Sequence, residues 1–172
     1  FKRYPQVFPV LAQQSIRELN LTQRSYEEVL DCATFAVFKA GYQGGFGADG
    51  DHLKKPEEIE YALRCGYSMI TLDCSEHIRG DAADLDHDAL AARYQPDPEL
   101  EAIYLNREIA IAPGITLTFD RDSFMRTVLI YGEAIGFMRD IYARYVEGKP
   151  VDFEISIDET MTPTTPLQQY FV

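Results

Sequence analysis

The sequence predicts an α/β protein in which parallel strands alternate with crossover helices. Apolar, strand-like runs at residues 7–12, 67–72 and 151–157 alternate with segments whose apolar residues recur at helical spacing. Such alternation is typical of a parallel sheet, either in a (β/α)8 barrel or in a doubly wound sheet. Polar side chains follow four strands, and a barrel gathers all strand ends around one axis, whereas an open sheet concentrates its site at one switch point. We therefore predict part of a TIM-type (β/α)8 barrel, about four βα units within a single domain covering residues 1–172.

The first half of the chain contains the clearest boundaries. Ser25 and Glu28 have the spacing of a capping box, so a helix is predicted to begin there and to end at Gly41. A short strand is predicted at residues 45–48. Pro56 suits the first turn of the next helix, which Gly66 ends.

The regular alternation is interrupted at residues 79–121. This segment is predicted to be an insertion, and it would suit a lid. It contains a hairpin with arms at 103–111 and 115–119. Asp122 or Ser123 is then predicted to cap the longest helix, and a final helix is predicted to begin near residue 164 or 165.

Composition narrows the class of protein. The net charge of −12 argues against binding to nucleic acid or to anionic membranes, although simple solubility also explains it. No apolar run is long enough to span a membrane. The three cysteines, without a CxxC pair, indicate reduced and mostly buried thiols in the cytoplasm. The chain begins without a methionine and ends within an apolar segment, whereas natural termini are more often polar. This predicts a piece of a longer chain.

A cluster of Asp49, Asp51 and His52 follows the predicted strand at residues 45–48. Carboxylate oxygen and imidazole nitrogen together suit a hard or borderline divalent cation. An EF-hand is excluded, because Leu53 occupies the fifth position of the loop. The alternative is a polar turn whose aspartates cap the following helix.

A second set of polar residues lies on one face of the strand at residues 151–157, because alternation places Glu154, Ser156 and Asp158 together. Buried carboxylates in this position need a cation, a donor or a proton, whereas carboxylates on an edge strand would be solvated. Arg17 is predicted to bind a substrate carboxylate, with a surface ion pair as the alternative.

Four segments carry a specific resemblance to a known family. Residues 11–18, 47–53, 69–78 and 153–160 resemble, in this order, the tagaturonate/fructuronate epimerases. The chains of that family are longer, with a Gly-Asp-Arg segment before this region and a His-Ser-Gly-Ser-Asp-Lys segment after it. The resemblance implies an isomerase that interconverts two keto-hexuronates with a divalent metal. The resemblance does not distinguish between Zn, Mn, Ni and Co.

The implied reaction inverts a carbon that is β to the ketone, so its own C–H bond is not acidified. A retro-aldol cleavage and re-addition avoids this difficulty, and requires a metal, an acid/base carboxylate and a clamp for the substrate. The predicted acid/base residues are Asp51 and, second, Glu154. The predicted metal ligands are His52, Asp158 and Glu159, and the predicted substrate-binding residues are Gln14, Arg17, Asp49, Asp73 and Glu76.

Two alternatives to the epimerase stay open. One is a metal-dependent sugar isomerase or aldolase on the same barrel, and the other is an inactive fragment that binds sugar. The expected partner is a small sugar acid, and the sequence leaves a homo-oligomer open.

Overall fold

A computed structural model describes residues 3–158, 160 and 162–172. The chain divides into two compact units, Phe1–Cys74 with Met138–Ser156 and Ser75–Phe137 with Ile157–Val172. The strands are β1 (Val10–Ser15), β2 (Gly47–Leu53), β3 (Met69–Asp73), β4 (Glu108–Ala112), β5 (Ile115–Thr118) and β6 (Asp152–Ser156). The helices are α1 (Ile16–Thr22), α2 (Tyr26–Ala40), α3 (Pro56–Arg64), α4 (His87–Arg93), α5 (Pro98–Tyr104), α6 (Arg121–Ile141) and α7 (Pro166–Phe171).

The first unit is built on a four-stranded sheet in the order β1-β2-β3-β6, and every neighbouring pair is parallel. This confirms the predicted α/β class with a parallel sheet. The predicted position of the first strand was wrong, since β1 begins at Val10 and includes the polar residues 13–15. Apolarity alone placed the strand too early, because the polar residues pair with β2.

Capping boxes fix the beginnings of the first two helices. At α2, Ser25 accepts a hydrogen bond from the backbone N–H of Glu28, and the Glu28 side chain accepts one from the Ser25 backbone N–H. The C-cap of α2 is Gly41 in the left-handed region, with φ of 57°. Both boundaries are as predicted. The short helix α1 was not predicted, although Ser15 and Glu18 form the same kind of box.

One face of the sheet packs on helices through apolar side chains. The position of a Cβ at Gly50 would lie 3.0 Å from Ala62 of α3 and 3.0 Å from Leu53, so the helix approaches β2 too closely for a larger residue. Ile70 and Leu72 of the inner strand β3 are fully buried. This face is therefore the core of the first unit.

The second unit has a separate aromatic core. It is formed by buried residues of α4, α6 and α7 and of segments outside the helices: Ala82, Leu90, Tyr94, Phe119, Phe124, Met125, Ile130, Tyr131 and Phe171. The predicted hairpin is present as the antiparallel pair β4–β5. Its first arm was predicted too long, because Pro98 begins a helix that Asp97 caps and that continues to Tyr104.

The longest helix begins at Arg121, and its cap is Asp120 rather than the predicted Asp122 or Ser123. The Asp120 carboxylate accepts a hydrogen bond of 2.7 Å from the backbone N–H of Ser123. After Ile141 the helix continues as one π-helical segment, Tyr142–Val146. Gly148 follows with φ of 70°, close to the predicted end.

The three thiols Cys32, Cys65 and Cys74 form no disulfide. Cys74 is buried, and burial raises the pKa of its thiol to about 12. Cys32 is exposed, so the prediction that the thiols are mostly buried was wrong for this residue. Among the described residues, no helix combines the length and the apolar character needed to cross a membrane.

Candidate active site

The face of the sheet opposite the helices carries polar side chains on every strand. The parallel register places Gln13 beside Asp49 and Ser15 beside Asp51. It also places Thr71 beside Glu154 and Asp73 beside Ser156. Because residues in register point to the same side, these side chains form one polar face, which we define by Gln13, Ser15, Asp49, Asp51, Thr71, Asp73, Glu154 and Ser156.

Asp49 is one of two buried carboxylates on this face, with 4% of its surface exposed. The Thr71 hydroxyl donates to both of its oxygens, at 3.2 and 3.1 Å. Burial raises the pKa of Asp49 to about 6, while the hydrogen bond from Thr71 lowers it and the charges of Asp51 and Glu154 raise it further. A carboxyl with such a pKa exchanges its proton near neutral pH.

Replacing Thr71 by Val is expected to raise the pKa of Asp49 further above its ordinary value. The hydroxyl stabilises the ionised carboxylate, and valine keeps the shape of the side chain without the donor. The charges that face Asp49 are Asp51, Glu154 and His52, and none of them changes. The measurement is a ¹³C NMR titration of the Asp49 carboxyl carbon. Thr71→Ser is the matched control and should keep the pKa, whereas an unchanged pKa in Thr71→Val would contradict the assignment.

A bulge in β2 places His52. Gly50 pairs with Ile70 of β3, and Leu53 pairs with Leu72. The chain therefore advances by three residues on β2 but by only two on β3, so β2 contains one extra residue. His52 is the residue in the left-handed region, with φ of 51°. The extra residue returns Leu53 to the apolar face, where it is fully buried. Strain of this kind at a non-glycine residue is typical of functional positions.

His52 makes hydrogen bonds through both ring nitrogens. Its Nδ1 lies 2.7 Å from Oδ1 of Asp51, and its Nε2 lies 3.4 Å from Oγ of Ser156. A carboxylate on Nδ1 fixes the orientation of the ring and makes Nε2 more basic. The imidazole is therefore held with Nε2 at the polar face.

Asp73 ends β3 and is 4% exposed. The Nζ atom of Lys54 lies 3.3 Å from its Oδ2. The end of β2 therefore supplies a positive charge next to the end of β3.

A divalent metal would need several donor side chains that converge on one point. His52 has the carboxylate partner that metal-binding histidines commonly have. Within residues 3–158, 160 and 162–172, however, no three His, Cys, Asp or Glu side chains converge as a metal site would require. The described residues thus supply one oriented imidazole and do not complete a coordination sphere.

The other predicted site residues are Gln14, Arg17, Glu76, Asp158 and Glu159. Gln14 is in register with Gly50 on the opposite face and donates to Glu18 at 3.1 Å. Arg17 is exposed on α1, and Glu76 and Asp158 are exposed in the second unit. Glu159 lies outside the described residues. The structure therefore unites Asp49, Asp51, His52, Asp73 and Glu154 on one face of the first unit.

Three polar residues at this site were not assigned a role from the sequence. Gln13 and Thr71 could have been found, since alternation from Ser15 and Asp73 puts them on the polar face. Lys54 could not have been found from the sequence, because the pair Lys54-Lys55 is typical of a solvated segment before a helix. Only the fold brings the Nζ atom of Lys54 to Asp73.

Comparisons with known proteins identify a family to which the chain is similar. The family model of the tagaturonate epimerases matches residues 1–172. The tagaturonate/fructuronate epimerase of Thermotoga maritima is 38% identical over 169 residues, which is 96% of this chain and 35% of that protein.

Solved structures of the fructuronate-tagaturonate epimerase from Cohnella laeviribosi are also similar. The native crystal structure has 48% identity and a TM-score of 0.89, and a complex with glycerol has 50% identity and a TM-score of 0.88. Each alignment covers 95% of this chain and 35% of the other. The chain thus spans about a third of the length of these relatives, and it belongs to the tagaturonate epimerase family.

Proposed function

We propose that this chain supplies part of the active site of an epimerase that interconverts tagaturonate and fructuronate. The observation that carries the proposal is the β2 segment, where Asp49, Asp51 and the strained His52 lie on one polar face. The family membership supports the same activity, and the names of the relatives give the substrates. Because the relatives are about three times as long, the activity is proposed for the whole protein.

The proposed chemistry is a retro-aldol cleavage followed by re-addition. Asp51 is the first candidate for the base that takes the proton from the hydroxyl of the inverting carbon, and Glu154 is the second. Asp49 and Asp73 are proposed to contact the substrate, and Lys54 pairs with Asp73. Gln14, Arg17 and Glu76 stay proposals for substrate binding in the complete protein.

Dependence on a divalent metal is also part of the proposal. Such a cation, when bound, would stabilise negative charge that develops on substrate oxygens. His52 is the proposed ligand with the best support, since Asp51 orients its ring. Asp158 and Glu159 are proposed ligands on the resemblance alone.

The barrel remains a proposal that two features support. An all-parallel sheet is normally covered on both faces and at its edges by other elements. Here β1 and β6 are edge strands, and the apolar side chains of Val10, Leu11 and Ile155 are between 41 and 45% exposed. Further strands of a (β/α)8 barrel would cover them. The segment 79–121, with α4, α5 and the hairpin, is proposed as a lid.

The test is product analysis with pure tagaturonate and pure fructuronate, with added divalent metal and with a chelator. The sample is this chain or, if it lacks turnover, a chimera in which it replaces the aligned third of the Thermotoga maritima relative. We expect each substrate to yield the other only with metal. Formation of an aldose or of stable cleavage products would favour the isomerase or aldolase, and sugar binding without turnover would favour an inactive fragment.

A metal analysis of the same sample tests the proposed ligand. His52→Ala is expected to abolish stoichiometric binding of the metal, because the imidazole nitrogen is lost. His87→Ala is the matched control, since His87 pairs with Asp122 in the second unit and should leave metal content unchanged. Retention of bound metal by His52→Ala would rule out His52 as a ligand.

A further inference from the structure

A histidine in the second unit is held by a carboxylate and by an aromatic ring. His77 ends the short turn Ser75–His77, which follows β3 after one residue. Its Nδ1 lies 2.9 Å from Oε1 of Glu133 on α6. Its ring stacks on Phe137, one turn further along α6, with 4.2 Å between the ring centroids and 30° between the ring planes. These two contacts fix both the position and the plane of the imidazole.

Arg79 holds the same carboxylate independently of the histidine. Its Nε donates to Oε2 of Glu133 at 2.7 Å, and its Nη2 donates to Oε1 at 2.6 Å. The backbone N–H of Arg79 also donates to the carbonyl oxygen of Ile130 at 2.9 Å. The hydrogen bonds from His77 and Arg79 hold the pKa of Glu133 below its ordinary value. Because Arg79 already fastens this loop to α6 through three hydrogen bonds, the loop does not require His77 as a further fastening.

The contact with Glu133 determines what the other ring nitrogen can do. An ionised carboxylate at Nδ1 keeps a proton on that nitrogen, so Nε2 accepts a hydrogen bond in the neutral imidazole and donates one in the imidazolium. Within the part of the chain that the structure describes, Nε2 of His77 has no hydrogen-bond partner. The side chain is 31% exposed. This nitrogen is therefore oriented, accessible and available to a ligand.

A sugar acid carries groups that suit such a nitrogen. A hydroxyl both donates and accepts, so it pairs with Nε2 in either protonation state of the ring. The segments that follow the carboxyl ends of parallel strands commonly carry binding residues. His77 lies in such a segment, four residues after Asp73 at the end of β3.

We propose that His77 is a substrate-binding residue of the epimerase, that its Nε2 forms a hydrogen bond with a hydroxyl of the keto-hexuronate, and that Glu133 positions its ring. The proposal rests on the epimerase function proposed above and adds to it a residue of the second unit. The competing explanation is a structural role in which only the contact between Nδ1 and Glu133 matters. The two explanations depend on different ring nitrogens.

Two amide substitutions separate the two nitrogens. The amide of His77→Asn takes the place of Nδ1 and still donates to Glu133, whereas the longer side chain of His77→Gln brings its amide to the place of Nε2. The measurements are kcat/KM and the calorimetric apparent Kd for tagaturonate, in the sample that epimerises in wild-type form, and urea unfolding for stability. His87→Asn and His87→Gln are matched controls, because Nδ1 of His87 lies 2.7 Å from the carboxylate of Asp122.

We expect His77→Asn to lower kcat/KM and to raise the apparent Kd by about tenfold, a typical effect of one lost hydrogen bond. His77→Gln should stay within about threefold of the wild type, because it restores a polar atom at the place of Nε2. Both His87 variants should bind and turn over as the wild type does. Equal losses in the two His77 variants, a larger loss in His77→Gln, or no loss in either would overturn the proposal.

Glu133→Gln tests the positioning role. In the wild-type background it should raise the apparent Kd, because the ring of His77 loses the carboxylate that orients it. In the His77→Asn background it should cause no further rise, since the hydrogen bond from Nε2 is already absent. Additive effects of the two substitutions would mean that Glu133 acts independently of His77, and would overturn its positioning role.

Failure of the epimerase function has a different signature from failure of the proposal for His77. If the wild type binds tagaturonate without turnover, the epimerase function is overturned, and the apparent Kd values of the two His77 variants still decide which ring nitrogen matters. If the wild type binds no tagaturonate, both proposals are overturned.

Discussion

Asp51→Asn is expected to lower kcat by about 10²–10⁴-fold in both directions, which is the usual contribution of a positioned acid/base group. Asparagine keeps the size of the side chain and retains an oxygen that accepts from Nδ1 of His52, so the imidazole keeps its orientation. The amide does not take a proton from the substrate hydroxyl. The measurement is steady-state turnover from each keto-hexuronate, with kcat and KM separated.

The same substitution elsewhere on the chain provides the control. Asp31→Asn changes the charge identically on the exposed surface of α2, away from the polar face, and should leave kcat unchanged. If Asp51→Asn keeps kcat within about tenfold of the wild type, Asp51 is not the base. Glu154→Gln should then show the large loss, because Glu154 is the second candidate.

Leu72→Ala is expected to lower the free energy of unfolding by about 2–5 kcal/mol, the range for large-to-small changes in a core. Leu72 lies in the inner strand β3, is 0% exposed, and packs on the helix side of the sheet next to Leu53. Alanine at this position leaves a cavity that the neighbouring strands prevent from collapsing. The measurement is urea unfolding followed by circular dichroism.

Ile155 offers a matched comparison, because it is the register partner of Leu72 on β6. It is 41% exposed, since β6 is an edge strand of the sheet. Ile155→Ala should therefore cost about 1 kcal/mol or less. Equal losses from the two substitutions would mean that the edge is covered in solution, as it would be by a further strand or a second copy of the chain.

Much of the first unit could be predicted because local rules and tertiary packing agree there. The capping box at Ser25 and Glu28, the left-handed Gly41 and the strand at residues 69–73 follow from sequence. The position of β1 did not, because residues 13–15 are polar and belong to the strand only through pairing with β2. Apolar residues indicate a strand whose side chains are buried, whereas a stretch of polar residues gives no such indication even when it belongs to a strand.

In the second unit the helices α4 and α5 were missed inside the segment interpreted as an insertion. Each has only seven residues, too few for a helical stripe to be distinct. Their caps, Asp86 and Asp97, were visible in the sequence, but in a run of acidic residues they were not distinguishable from solvated charge.

The site was predictable in its residues and not in its geometry. Asp49, Asp51 and His52 were selected together, but strict alternation would have placed His52 on the apolar face and Leu53 on the polar one. The bulge that reverses this depends on one backbone dihedral at His52, and no local pattern marks it. The pairing of Lys54 with Asp73 is likewise a product of the crossover from β2 to β3.

The left-handed backbone at residue 52 also sets two selection pressures against each other. A side chain in this region costs about 1–2 kcal/mol compared with an unstrained residue, and glycine removes most of that cost. A library screened for heat resistance should therefore enrich glycine at position 52, whereas one screened for growth on a hexuronate should retain histidine. The frequencies of glycine and histidine at position 52 in the two libraries would then show that the protein accepts a lower stability there in return for function.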